Sequence, residues 1–203
     1  MDKLVIYQVF TRLFGADASK NVSNGTKREN GCGKMADFTT AALEEVKKLG
    51  ATHIWYTGLI EHATKTDYSQ YGIAKDHPAI VKGRAGSPYA IKDYYDIDPD
   101  LATKVPERMK EFERLVMRTH RADLKMIMDF VPNHVARQYH SDAKPEGVRD
   151  LGEDDDKTML FNTHNNFYYL PGTTFTPSFS LNDEEQGKYV ESPARVTGND
   201  CFT

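Results

Sequence analysis

The chain has 203 residues, 39% of them hydrophobic and 28% charged, and a formal net charge of −4. That is enough for one or two globular domains. The slight acidity gives no electrostatic footprint for nucleic acid or an anionic membrane, and no apolar stretch approaches the roughly 20 residues of a spanning helix.

The opening run L-V-I-Y-Q-V-F, residues 4–10, is β-branched and aromatic and predicts a buried strand. No cleavage-like site follows it, which leaves the compartment open between cytoplasm and an export route whose signal has been removed. A Gly- and Asn-rich loop over residues 15–34 comes next, long enough to suggest a functional role. Residues 37–49 then read as an amphipathic helix. Phe38, Ala42, Leu43, Val46 and Leu49 share a face, and Gly50 stands at the position that ends helices. The run T-H-I-W-Y-T, residues 52–57, predicts a second strand, with Trp55 expected in the core.

A long connection rich in Tyr, Asp, Gly and Pro fills residues 59–104. Pro106 is placed to open a helix reaching about residue 122, with Met109, Phe112, Leu115 and Val116 as its apolar face. Residues 124–130 complete the pattern as a third buried strand that ends near Pro132, which cannot donate a ladder hydrogen bond. Strand, helix, strand, helix, strand is the order of two βαβ units, so the expected fold is α/β with a parallel sheet and right-handed crossovers. Asp129, Asn133 and His134 then fall at or just past the carboxyl end of the third strand, where α/β folds bind ligands. A plainer role for Asp129 is to cap the loop, and for His134 to be a surface residue.

After residue 134 the helical period is lost. Short aromatic pieces at 166–170 and 174–179 alternate with P-G and P-S breaks, and the acidic run 153–156 reads as a solvated turn. The only cysteines, Cys32 and Cys201, have no C-x-x-C partner, so two free thiols are expected, although one pairing is possible. Eleven Tyr and ten Phe, many of them in polar loops, suit a surface that stacks on ligand rings.

Three segments together resemble the α-amylase family of glycoside hydrolases. The opening Y-Q-V-F-T-R-L-F looks like the family's first barrel strand. P-Y-A-I-K-D-Y-Y-D-I-D-P, residues 88–99, is similar to the family's G-Y-x-x-x-D-Y-Y-x-I-D-P, with Pro88 where glycine is usual. M-D-F-V-P-N-H, residues 128–134, matches the family's D-x-x-x-N-H at the end of its third strand. The resemblance implies the first three βα units of a (β/α)8 TIM barrel over residues 1–134. An inserted, irregular β-containing subdomain would follow over 135–203, with the barrel incomplete in this chain. It implies an oligo- or polysaccharide substrate and, as partner, the remainder of the catalytic domain. By the same resemblance Tyr89 would stack on the reacting sugar, His134 would hydrogen-bond its hydroxyls, and Asp129 would orient the reacting groups from behind. Asn133 would be a calcium ligand in members that bind the ion, or otherwise an amide that fixes its loop.

The family's nucleophile follows its fourth strand in G-x-R-x-D, and its acid closes the fifth in an apolar run ending G-E. Neither is found here. Ala194-Arg195-Val196 lacks the aspartate, Gly152-Glu153 has no strand before it, and the 161–165 segment F-N-T-H-N only faintly resembles a later N-H-D motif. Both reacting carboxylates are therefore expected beyond Thr203. The alternative reading is a small, non-catalytic α/β domain that binds a sugar or a metal.

Overall fold

The computed structural model describes residues 3–16, 21–178 and 187–196, so Cys201 lies outside the described residues. In chain order the elements are β1 (Ile6–Phe10), α1 (Lys27–Asn30), α2 (Thr40–Lys48), β2 (His53–Thr57), β3 (Ile60–His62), β4 (Ile91–Ile97), α3 (Arg108–Arg121), β5 (Lys125–Met128), β6 (Tyr168–Leu170) and β7 (Ala194–Val196). Contacts divide the chain into two units, one of residues 1–61 with 96–130 and one of 62–95 with 131–203. The boundaries fall inside β3 and β4, two short strands that pair with each other.

The first unit holds the parallel sheet, in the order β1-β2-β5. Its register sets Gln8 beside Trp55 and Trp55 beside Ile127. Parallel neighbours require crossovers, and α2 and α3 supply them. Side chains alternate across a strand, so Ile54 and Tyr56 of β2 turn into the core with Leu43 and Val46 of α2 and Leu115 of α3. Tyr7, Val9 and Met126 pack against this cluster from the two outer strands.

Both crossover helices differ from expectation at their ends. The Thr39 side chain accepts the Ala42 N–H and caps α2, so the helix predicted from residue 37 starts at Thr40, and Asp37 instead ends a 3-10 turn, Met35–Asp37. Leu49 is exposed as the C-terminal cap rather than buried, and Gly50 follows at φ +86° as expected. Pro106 sits in a short 3-10 turn, Val105–Glu107, ahead of α3. Met109 is exposed, whereas Glu111 is buried because its carboxylate accepts the Thr103 and Lys104 N–H groups at 2.9 and 2.8 Å.

Two corrections concern the sheet. The third strand ends at Met128, so Asp129 and Phe130 lie past it, and Leu124 is the buried residue of the expected run. Among the described residues β2 is the single neighbour of β5 in the sheet, and β5 has intermediate or exposed residues throughout. Trp55 is not part of the core cluster. It is half-buried on the opposite face from Ile54 and Tyr56.

Tyr56 shows how the core admits a polar group. Its ring meets Phe38 edge-on, and its hydroxyl lies 2.7 Å from that of Thr119. The Thr119 hydroxyl donates to the Leu115 carbonyl, so Tyr56 is the donor of the pair. Burial pushes this phenol up to about 12. A tyrosine that ionises near its ordinary pKa of about 10 when unfolded contributes stability that is complete below that value. The contribution is lost as pH rises through the folded pKa. Urea melts should therefore weaken between about pH 9 and 12, and Tyr56→Phe should remove part of that alkaline loss at a cost of about 1 kcal/mol at neutral pH.

The second unit is irregular and rich in side-chain-to-backbone bonds. β6 and β7 are antiparallel, with Tyr169 opposite Arg195, and Phe175 bridges Glu191. Arg137 closes this part. Its guanidinium lies 4.0 Å from the Phe175 ring centroid and donates to the Glu191 carboxylate at 3.0 Å and the Arg195 carbonyl at 2.8 Å. Residues 136–143 dock on β4. The Ala136 N–H donates to the Ile91 carbonyl at 2.7 Å, while Asp93 accepts the Ser141 hydroxyl at 2.6 Å and the Ala143 N–H at 3.0 Å.

Candidate substrate-binding site

Asp129 belongs to the first unit. It follows β5 directly, two residues after Ile127, and so shares the sheet face that carries Trp55. The Trp55 indole N–H donates to its carboxylate. An aromatic donor on the neighbouring strand thus fixes this carboxylate where the chain leaves the sheet. Strand alternation could have found Trp55, since a residue between two core positions points the other way.

Tyr89, Asn133 and His134 belong to the second unit. Residues 131–134 carry Pro132, which has no N–H, and their carbonyls are held from outside. The Tyr94 hydroxyl donates to the Val131 carbonyl and lies 3.4 Å from that of His134. Burial pushes the Tyr94 phenol above its ordinary range, which keeps it a donor. The Asn133 amide Nδ2 lies 2.8 Å from His134 Nδ1. An amide nitrogen only donates, so Nδ1 accepts, and the neutral imidazole carries its proton on Nε2. The structure therefore pairs the Asn133 and His134 side chains and leaves Nε2 of His134 as a donor.

Tyr89 is exposed on a tight turn. The Ala90 N–H donates to the Ser87 carbonyl at 3.0 Å, and the Tyr89 N–H to the Ser87 hydroxyl at 3.3 Å. The turn needs Gly86, where φ is +77° and a Cβ would fall 1.7 Å from the Ala63 carbonyl oxygen. Glycine is thus needed two residues before Pro88, the position where the family motif usually has its own.

The segments set aside as poor matches to the missing carboxylates have structural work. The Arg195 guanidinium lies 4.6 Å from the Phe167 centroid and donates to the Arg137 carbonyl. Glu153 is hydrogen-bonded by the Asp150 N–H and then by Lys144, which hold its carboxyl below the usual range. A general acid needs the reverse. Asn162 accepts the His164 N–H at 2.9 Å and shapes a turn.

Calcium takes six to eight oxygen ligands, several of them carboxylate. Among the described residues, no cluster of three or more acidic, His or Cys ligand groups includes Asp129 or His134, and the Asn133 amide nitrogen is engaged by the imidazole.

Residues 8–170 match the family description "Alpha amylase, catalytic domain". The chain is 29% identical over 137 residues to the trehalose-6-phosphate hydrolase of Bacillus subtilis, covering 68% of this chain and 18% of that protein. It is also 29% identical over 134 residues to the amino acid transporter heavy chain SLC3A1 of Mus musculus, covering 66% of this chain and 14% of that one. Among solved structures, an alpha-amylase from Lactobacillus plantarum aligns with 28% identity and a TM-score of 0.46, over 66% of this chain and 24% of that one. The chain thus spans less than a fifth of the length of these two curated relatives. Among the described residues no helix is long and apolar enough to cross a membrane.

Proposed function

The chain belongs to the α-amylase family, and on that premise we propose that it is the N-terminal part of an enzyme that hydrolyses or transfers α-linked glucans. The proposed reaction retains anomeric configuration. A carboxylate attacks the anomeric carbon as a second, protonated carboxyl gives its proton to the leaving oxygen. Water or a sugar hydroxyl then resolves the glycosyl intermediate. In this reading β1, β2 and β5 are the first three strands of a (β/α)8 barrel. Residues 1–134 belong to the barrel and 135–203 to the subdomain inserted after its third strand. Nucleophile and acid lie outside the 203 residues, in the remainder of the catalytic domain.

The roles proposed for this chain's residues come from the family resemblance, and the local geometry of each is compatible with its role. Tyr89 offers an exposed ring on a rigid turn, to stack on the apolar face of a pyranose. His134 directs Nε2–H at a sugar hydroxyl, with its tautomer set by Asn133. Asp129, held by Trp55, sits behind the reacting groups and orients them. Calcium enters only through Asn133, whose amide oxygen could serve as one ligand, and no step of the proposed reaction passes through the ion.

The observation that carries this reading is the family match over residues 8–170, a span that includes all four residues. The second reading, a non-catalytic α/β domain that binds a sugar or a metal, is favoured by one relative being named a transporter heavy chain rather than a hydrolase. The test is hydrolysis of an aryl α-maltoside by the intact protein, followed by NMR at the anomeric carbon. Retention is expected, with loss of turnover in Asp129→Asn and no turnover by the 203-residue chain alone. An intact protein that never turns over, or a short chain that does, would reverse the assignment.

A further inference from the structure

The second unit displays an aromatic ledge that the roles above leave unused. In β6 the alternation of the strand turns Tyr169 inward, where it is 2% exposed, and Tyr168 outward, where it is 52% exposed. Phe161, 57% exposed, lies against Tyr168 with ring planes 23° apart and centroids separated by 5.6 Å. The two rings are thus close to parallel and adjacent on the exposed side of the unit. Burying such rings is favourable, and leaving two together in water is costly.

The ledge is built rather than incidental. Asp155 accepts the Asn166 N–H at 2.8 Å, the Phe167 N–H at 3.0 Å and the inward Tyr169 hydroxyl at 2.9 Å. Asp156 and Asn165 exchange two further bonds, at 2.8 and 2.9 Å, and the Tyr169 N–H donates to the Leu160 carbonyl. The loop that carries Phe161 is thereby tied to the strand that carries Tyr168. The ledge is also neutral. Residues 158–170, T-M-L-F-N-T-H-N-N-F-Y-Y-L, contain no Asp, Glu, Lys or Arg, in a chain that is 28% charged. Asn162 and Thr163 follow Phe161 directly and supply an amide and a hydroxyl.

We propose that Phe161 and Tyr168 form a stacking platform for a neutral oligosaccharide. A pyranose presents an apolar C–H face edged by hydroxyls, which suits near-parallel rings bordered by amides and hydroxyls. It has no charge to be matched, whereas phosphate, nucleic acid or an acidic peptide would need cations that this run lacks. The choice of an α-linked glucan as the sugar rests on the functional reading above, and the platform itself does not.

The test is isothermal titration of the full chain with maltohexaose, with cellohexaose as the comparison sugar. Phe161→Ala and Tyr168→Ala should each weaken maltohexaose binding roughly tenfold, the loss expected when one stacked ring is removed. Phe161→Tyr should keep the binding, since it keeps the ring. Tyr71→Ala, which removes an exposed ring elsewhere in the second unit, should also leave it unchanged. Circular dichroism checks that each variant is folded. A wild-type chain that binds neither sugar, or alanine variants that bind as tightly as wild type, would overturn the platform. So would self-association that Phe161→Ala abolishes without any sugar binding, because exposed Met159 and Leu160 would then mark a protein contact. An intact protein that hydrolyses aryl α-maltosides with this result negative loses the platform alone. Binding without hydrolysis loses the enzymatic reading and keeps the platform.

Discussion

His134→Ala in the intact enzyme should lower kcat/KM by about 30- to 1,000-fold, corresponding to about 2–4 kcal/mol of transition-state stabilisation from one donor in a water-excluded site. The basis is the arrangement at Asn133, which takes up Nδ1 and leaves Nε2–H to donate. A hydrogen bond to a sugar hydroxyl that tightens as charge grows at the anomeric carbon acts on the transition state, so kcat should fall along with kcat/KM. Stability should hardly change, because the imidazole's side-chain hydrogen bond is to the exposed Asn133. Asn133→Asp separates tautomer from bulk, since a carboxylate would accept from Nδ1–H and move the proton off Nε2. The expected loss in that variant is smaller than in His134→Ala but shares its kcat signature. A kcat/KM within a few-fold of wild type for His134→Ala would make this an ordinary surface histidine.

The largest stability effect is expected at Lys92. Its ammonium donates to the Ala74 carbonyl and to Asp76 Oδ2 at 3.2 Å, and Asp76 Oδ2 also accepts the Thr64 N–H at 3.1 Å. Both side chains are almost completely buried. Removing one partner of such a pair strands the other charge, so Lys92→Met should cost about 3–5 kcal/mol at neutral pH. Adding Asp76→Asn should recover most of that, because no charge is then left inside. The pH dependence follows from the carboxyl. Burial raises the folded pKa of Asp76, and Lys92 opposes the rise. A raised carboxyl contributes stability that is complete below the unfolded carboxylate range and is lost as pH rises through the folded value. Without Lys92 the folded value rises further, so the deficit of Lys92→Met should be greatest at neutral pH and shrink in mild acid. Urea unfolding of the single and double variants at both conditions reads this directly. A deficit that does not change with pH would place the cost in packing instead.

Most of the architecture was legible because its causes are local. β-branched and aromatic runs followed by turn residues marked β1 and β2. A 3.6-residue period marked α2 and α3, and the loss of any period after residue 134 marked the irregular stretch that holds β6 and β7. Burial was less legible. A strand such as 124–130 looks core-bound from its composition, yet among the described residues β5 pairs with β2 alone, and its positions are intermediate or exposed. Trp55 was misplaced because residue type was weighed above strand alternation. Glu111 and Thr119 were missed as buried groups because polar residues on a helix normally face water, and their partners sit on other elements.

By itself the sequence determined β1, β2, β5, α2 and α3 from composition and period, while α1, β3 and β4 lay hidden in stretches that read as loops; resemblance to the α-amylase motifs brought in the family and Tyr89, Asp129, Asn133 and His134 as candidates. Tertiary structure alone decided what those residues touch. It set the indole of Trp55 on Asp129 across 74 positions, the phenol of Tyr94 on the Val131 carbonyl across 37, and Lys92 on Asp76 inside the second unit. It also turned Phe161 beside Tyr168, seven residues on, and left both in water. The reason is physical. A hydrogen bond or ring contact depends on where the folded backbone delivers two atoms, and residue types constrain that only once the strands between them have found their register.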